Sequence, residues 1–272
     1  MGKVVLNLRG EGITHQSDGH TGKSTTYRKE PKHIEWGLGV EGEHTIYIDH
    51  QLPRATSDTA SKYKYGWLIE SKYITPHIVE HIKINFPAYF EHFRYIFTHN
   101  QELLRLDDRF KFVPATGFWI QEPKLYEKSK LVSMISSNKQ MCSGHLYRLS
   151  WVEKLRSVLD LYGRGFCEIQ HKEEGLCDYM FSVAIENGSY VSYFTEKVLD
   201  CFAAGTVPIY HGSPDIGDYF NLDGVILLDD DFSIDRLSEE LYISMLPAIK
   251  DNLERVKNME IPEDWLYERY LK

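Results

Sequence analysis

Short β-rich runs alternate with helical stretches along most of this chain, and that alternation restricts the fold more than any other feature. Val4–Arg9, Thr45–Asp49, Gly66–Glu70, Tyr95–Thr98 and Phe110–Pro114 read as strands. Pro76–Phe93 repeats apolar residues at helical spacing, interrupted at Pro87. A second series opens with a strand at Leu131–Ile135, followed by a helix near Leu146–Leu161 and a strand near Met180–Ile185. It continues with a helix Tyr193–Ala204, strands Val207–Tyr210 and Val225–Leu228, and a helix Ile234–Leu246 that Pro247 should end. A last helix, Glu263–Leu271, is expected to pack back on the first half. Such alternation predicts parallel sheets with helices on both faces. Two series predict two Rossmann-like halves, joined near Gln121–Lys130, a charged linker containing Pro123. The polar, Gly-rich segment Glu11–Lys32 reads as a long loop.

The chain has 272 residues, enough for one large or two small cores. Its net charge of −9, from 40 acidic and 31 basic residues, disfavours a nucleic-acid or anionic-membrane partner. No apolar run approaches the ~20 residues that span a bilayer, and Met1–Gly10 lacks a signal-peptide layout. The four cysteines, Cys142, Cys167, Cys177 and Cys201, form no Cys-x-x-Cys pair. They read as reduced thiols of a cytoplasmic protein.

Residues 186–213 join a polar loop, an amphipathic helix and a buried strand. Phe194, Val198, Cys201 and Phe202 define one apolar helix face. Lys197 then falls in the first turn, where the helix dipole disfavours a cation and unpaired N–H groups point outward. An anion resolves both conflicts, and phosphate is the usual candidate. An exposed Glu196–Lys197 pair could instead solvate the helix start. The preceding strand end at Ile185-Glu186-Asn187 favours the ligand reading, because ligands bind at the carboxyl edges of open α/β sheets.

Glu186-Asn187, seven residues, Thr195-Glu196-Lys197 and then Gly-Thr-Val-Pro-Ile-x-x-Gly-Ser resembles the signature of the α-1,3-fucosyltransferases, glycosyltransferase family 10. Leu131–Asn138 resembles the family's strand and Ser-Asn turn. Arg148 with Leu155, followed by Leu161-Tyr162-Gly163, is also similar. The resemblance covers about residues 131–232. It implies an α/β enzyme of the GT-B type, with two Rossmann-like domains facing across a cleft. Residues 1–125 would bind acceptor, and residues 126–272 would bind a nucleotide-sugar donor. The implied reaction is inverting transfer of L-fucose from GDP-fucose to a glycan hydroxyl. Another donor such as UDP-xylose, or a non-catalytic nucleotide-sugar-binding protein, is the alternative.

In such a transfer the diphosphate leaves with growing negative charge, and cations aimed at it favour the transition state. Arg148 and Lys197 match the family's phosphate-binding pair. Glu196 matches an acidic residue near the ribose or sugar, where a carboxylate accepts from hydroxyls. Asn187 and Tyr193 match positions lining the nucleotide site. Glu186 is a loop anchor or secondary contact, and Ser213, with Pro214, opens the next helix as another phosphate contact. Gly205, Pro208 and Gly212 read as turn and packing residues.

The resemblance also implies a carboxylate base on the N-terminal half. Glu70, at a strand end, is the candidate, although Ile69 stands where the family has glycine. His99, a rival base or acceptor contact, and Asn100 end the next strand. Thr21-Gly22-Lys23-Ser24 resembles the end of a P-loop, but Ser17 stands where a P-loop needs glycine. Asp229-Asp230-Asp231 resembles a metal motif, yet capping and solvation account for it. Cys167, His171 and Cys177 lack metal spacing. No metal or other cofactor is expected besides the GDP-sugar or UDP-sugar substrate. The expected setting is the cytoplasm, the host's if the chain is viral.

Overall fold

The computed structural model describes residues 2–10, 24–26, 29–38 and 42–272. The P-loop-like residues 21–23, and most of the loop predicted over 11–32, lie outside them. The chain divides into two compact units. One is Met1–Gly117 with Glu260–Lys272, and the other is Phe118–Met259.

The first unit contains β1 (Val4–Arg9), β2 (Ile34–Leu38), β3 (His44–Ile48), β4 (Tyr63–Leu68), α1 (Pro76–Tyr89), β5 (Tyr95–Thr98), α2 (Gln101–Leu104) and β6 (Phe110–Phe112). Its sheet runs β2-β1-β3-β4-β5-β6, with every described pairing parallel. Strands covered on both faces bury nearly every side chain, and Tyr65, Trp67, Ile96 and Phe97 are fully enclosed. β4 begins and ends earlier than the predicted Gly66–Glu70, so Glu70 lies two residues beyond the strand. The backbone leaves the helical region at Asn85, two residues before Pro87, and the Asn85 amide donates to the His81 carbonyl at 2.9 Å.

The second unit contains β7 (Lys130–Ile135), α3 (Ser143–Leu155), β8 (Asp160–Tyr162), α4 (Glu173–Leu176), β9 (Tyr179–Ile185), α5 (Glu196–Ala203), β10 (Val207–His211), β11 (Ile226–Leu227) and α6 (Glu239–Asn258). Its sheet runs β11-β10-β9-β7-β8, again parallel. The chain leaves β7 to one side for β8 and returns to the other for β9. The crevice beyond β7 and β9 is therefore the topological switch point, where open α/β sheets bind ligands.

Three helix predictions need correction. Pro247 does not end a helix at Leu246; it sits inside α6. Pro247 and Ile243, whose carbonyl it deprives of a partner, are both exposed, so water can satisfy that carbonyl. The helix predicted to Leu161 stops at Leu155, and Leu161-Tyr162 form β8 instead. Ser213-Pro214 opens no α-helix; only a short 3-10 turn, Ile216–Asp218, follows.

The C-terminal segment returns to the first unit as α7 (Pro262–Leu266) and a single wide turn. Trp265 Nε1 and the Tyr270 hydroxyl both donate to the Phe112 carbonyl, at 3.2 and 3.0 Å. Buried Glu263 accepts from Thr25 N and Oγ1 at 2.5 and 3.0 Å. Among the described residues no helix is long and apolar enough to cross a membrane.

Candidate functional site

The site in the second unit is built from the loop after β9. Glu186 is fully buried, and its N–H donates to the His211 carbonyl of β10 at 2.9 Å. Its carboxylate accepts from Thr195 N and Oγ1 at 2.8 and 2.7 Å. Glu186 thus closes loop 187–194 at its base. Thr195 in turn caps α5, accepting from Lys197 N. The helix begins at Glu196, three residues later than the apolar spacing predicts. Tyr193 and Phe194 are buried loop residues, because the Thr195 cap holds the chain extended there.

Lys197 therefore occupies the second position of α5, where the dipole opposes it most. Its Nζ lies 3.0 Å from Thr195 Oγ1, 3.2 Å from Glu196 Oε1 and 3.4 Å from Glu186 Oε2. The side chain keeps 21% of its surface exposed. It is a cation held by carboxylates at a mouth that an anion can reach.

α3 approaches the same loop. A Cβ on Gly144 would stand 2.1 Å from the Asn187 carbonyl oxygen, so only glycine lets the start of α3 touch the loop. α3 starts at Ser143, earlier than the predicted Leu146. Arg148 consequently lies in its second turn. Arg148 is 5% exposed. Its Nε donates to the Ile185 carbonyl at 3.0 Å, and Nη2 donates to Asn187 Oδ1 at 2.6 Å. Burial lowers its pKa against the pull of Glu186 and Glu196, and an arginine stays charged through such a shift. His145, one turn earlier, is buried and accepts from Met141 N at 3.1 Å. Burial, then the charges of Arg148, Lys139 and Lys197, push its pKa down to about 4. Three cations bearing on one neutral imidazole mark this end of the sheet as positive.

Glu196 connects Lys197 to a second cation. Lys172, just before α4, places Nζ 3.6 Å from Glu196 Oε1 and 2.7 Å from Asp200 Oδ2, and 4.5 Å from the Trp119 ring centroid. Asp200 also accepts from the Trp119 and Ile120 N–H groups. Burial raises the Glu196 pKa, but Lys197 and Lys172 outweigh it and hold the carboxyl below its ordinary range. Glu196 is ionised at any working pH.

Tyr193 stacks on half-buried Tyr190, with ring centroids 4.6 Å apart and 10° between planes. Ser192 between them takes a left-handed φ of 62° and donates its N–H to Asp215 Oδ1 at 2.9 Å. Ser213 is buried; its Oγ donates to the Tyr190 carbonyl at 3.1 Å and its N–H to the Tyr210 hydroxyl at 2.9 Å. It braces the loop from beneath.

The other candidates belong to the first unit. Glu70 is exposed, while its N–H donates to buried Asp49. His99 is buried, and desolvation pushes its pKa to about 3, which makes it a weak base. Asn100 caps α2, accepting from Glu102 N at 2.9 Å. Asp229 accepts from Asp231 N at 3.2 Å, a turn contact. Among the described residues no group of three His, Cys, Asp or Glu side chains could hold a metal ion.

Sequence reasoning missed Lys139, His145, Lys172, Asp49 and Asp215. Lys172 sits in the charged run Gln170–Glu174, which reads as solvated. Only its partner Asp200, 28 residues later, reveals its role.

Residues 125–250 match the model of the glycosyltransferase family 10 (fucosyltransferase) C-terminal domain. This segment is similar to glycosyltransferase family 10. It contains Arg148, Glu186, Asn187, Tyr193, Glu196, Lys197 and Ser213, whereas Glu70, His99 and Asn100 lie outside it. The α-(1,3)-fucosyltransferase FucT of Helicobacter pylori is 32% identical over 110 residues, which are 38% of this chain and 23% of that protein. The match thus spans under a quarter of that relative's length.

Two crystal structures of α1,3-fucosyltransferase are also similar. One, with GDP, superposes with a TM-score of 0.53 at 15% identity, covering 97% of this chain and 93% of that one. Another, with GDP-fucose, gives 0.52 at 13% identity, covering 96% and 92%. The likeness establishes the fold as α/β of the GT-B type, with two Rossmann-like units.

Proposed function

We propose that this chain is an inverting glycosyltransferase that moves L-fucose from GDP-fucose onto a glycan hydroxyl. The observation that carries the reading is Lys197 in the first turn of α5, facing the same carboxylates as Arg148 at the switch point of the second sheet. A diphosphate there accepts from unpaired N–H groups and meets two cations.

As the anomeric C–O bond breaks, its electron pair moves to the diphosphate oxygen. Lys197 and Arg148 stabilise that charge more in the transition state than in the ground state, so protein cations serve the leaving group without a resident metal. Glu196 accepts from donor hydroxyls. Asn187 and the Tyr190–Tyr193 stack line the nucleotide, with Glu186 and Ser213 holding the loop. The first unit supplies the acceptor site. There Glu70 takes the proton of the acceptor hydroxyl, which attacks the anomeric carbon from the face opposite the diphosphate and inverts it.

Released nucleotide, measured over a panel of GDP- and UDP-sugars with oligosaccharide acceptors, tests this. GDP release from GDP-fucose is expected. Release of UDP alone would move the donor to a UDP-sugar, and neither turnover nor binding with any nucleotide sugar would refute the transferase reading.

A further inference from the structure

The first sheet has a switch point of its own. The chain leaves β1 to one side for β2 and comes back on the other for β3, so the carboxyl ends of β1 and β3 border a crevice of the kind that binds ligands. Two backbone features crowd it. Gly10, just past β1, has φ of 141°, and a Cβ there would stand 2.7 Å from Ile48 Cβ. Asp49, just past β3, takes φ of 43°, which few residues other than glycine, asparagine and aspartate tolerate.

Asp49 is buried, and its carboxylate points at the backbone beyond β4. Oδ1 accepts from Ile69 N at 3.0 Å and Glu70 N at 3.3 Å, and Oδ2 lies 3.4 Å from Glu70 N. On the far side of Glu70, buried Ser71 holds a turn: its hydroxyl accepts from Tyr73 N at 3.2 Å and its carbonyl from Ile74 N at 2.8 Å. The Glu70 side chain is nonetheless exposed. An exposed glutamate on an ordinary surface loop needs no such anchorage, whereas a reacting carboxylate does.

We infer that Asp49 is the positioning residue that fixes Glu70 at the carboxyl edge of the first sheet. The inference rests on the reading of Glu70 as base. Burial and then the charge of Glu70 push the Asp49 carboxyl up to about 7. A strained backbone and a desolvated carboxylate both work against the fold at one residue, and such costs gather at functional sites.

The test compares Asp49→Asn, Asp49→Gly and Glu70→Gln in the full chain, reading GDP release from GDP-fucose with water and with a panel of oligosaccharide acceptors. Asparagine and glycine both keep the left-handed φ, so either variant should fold. Asp49→Asn is expected to lower kcat about tenfold, part of the 10²–10⁴ a positioned base contributes. The KM for GDP-fucose should stay within about twofold, because the donor binds elsewhere. Asp49→Gly should lose more than Asp49→Asn, and neither should slow Glu70→Gln further. Undiminished kcat in both Asp49 variants, with Glu70→Gln impaired, overturns the positioning role alone. Losses that multiply with that of Glu70→Gln overturn it as well. Undiminished kcat in Glu70→Gln instead removes the base reading beneath it.

Discussion

Lys172→Met tests the electrostatic part of the site in the second unit. Methionine retains an unbranched apolar side chain but deletes the cation, with its contact over the Trp119 ring. Asp200, 1% exposed, then loses its 2.7 Å partner and keeps only the Trp119 and Ile120 N–H groups. Breaking a buried ion pair costs about 3–5 kcal/mol. Lys172 is 19% exposed and Asp200 retains two donors, so the low end, about 3 kcal/mol, is expected. At about 2–4 °C per kcal/mol for a chain of this class, Tm should fall by about 6–12 °C at pH 8.

The pH dependence carries the argument. Burial already pushes the Asp200 carboxyl up to about 6, although Lys172 pulls it down. Without Lys172 it rises further. A carboxyl raised above its unfolded value holds a proton in the folded state that the unfolded chain has released. The penalty of the unpaired carboxylate is therefore full above the folded pKa and shrinks as pH falls from there toward the unfolded value. At pH 5 the loss should shrink to about 1 kcal/mol, that of a hydrogen bond. Thermal and urea unfolding at pH 5 and pH 8 measure both values, and Lys172→Met with Asp200→Asn should recover most of the loss at pH 8. Equal destabilisation at the two pH values, or no recovery in the double variant, would refute the reasoning.

Three other outcomes are expected. Lys197→Gln should weaken GDP binding about tenfold or more, as loss of a charge-assisted phosphate contact does; calorimetry showing wild-type affinity would remove Lys197 from the diphosphate site. Gly144→Ala inserts a methyl 2.1 Å from the Asn187 carbonyl oxygen, so it should push α3 off the loop and impair GDP binding in protein that still melts cooperatively; unaltered affinity would show the contact to be dispensable. Burial pushes Glu263 up to about 7, so its contribution to stability declines as pH rises from about 4 to about 7. Glu263→Gln should consequently raise Tm more at pH 8 than at pH 5, and a parallel shift at both would contradict that origin.

The sequence disclosed the parts of the fold that rest on local pattern. β1 and β5 have the predicted bounds because apolar, aromatic or β-branched residues make up four of the six positions in β1 and all four in β5. β2 escaped notice, since Gly37 interrupts Ile-Glu-Trp-Gly-Leu. The structure requires that glycine, because a Cβ there would stand 2.7 Å from Asn7 Oδ1 on β1. Apolar spacing places the start of α5 three residues early because two aromatics continue its apolar face, while the Thr195 hydroxyl decides where the helix starts. At the site, Lys197 and Glu196 were legible from residue type against helix position. Arg148 was legible from motif spacing, although its commitment to Ile185 and Asn187 was not. Asp49, Lys172 and His145 owe their character to burial and to partners distant in sequence, and no periodicity encodes either.

The two sheets share one winding, which gives their buried carboxylates a common logic. In each, the strand across the switch ends in an acid: Asp49 after β3 and Glu186 after β9. Each accepts N–H groups from the next segment bearing candidate chemistry, Ile69-Glu70 in one unit and Thr195 in the other. They differ in counter-charge. Glu186 has Lys197 at 3.4 Å, whereas the charge acting most on Asp49 is the like charge of Glu70, which raises its pKa. In the second unit the acid therefore does a second thing: it pairs with Lys197 at the start of α5. In the first unit the acid only sets backbone position. A parallel sheet ends in loops whose N–H groups lack ladder partners, and a buried carboxylate is the strongest acceptor a side chain can offer them. Fixing a reacting group to such an end recruits a desolvated acid, and the nearest counter-charge decides whether that acid also takes part in binding.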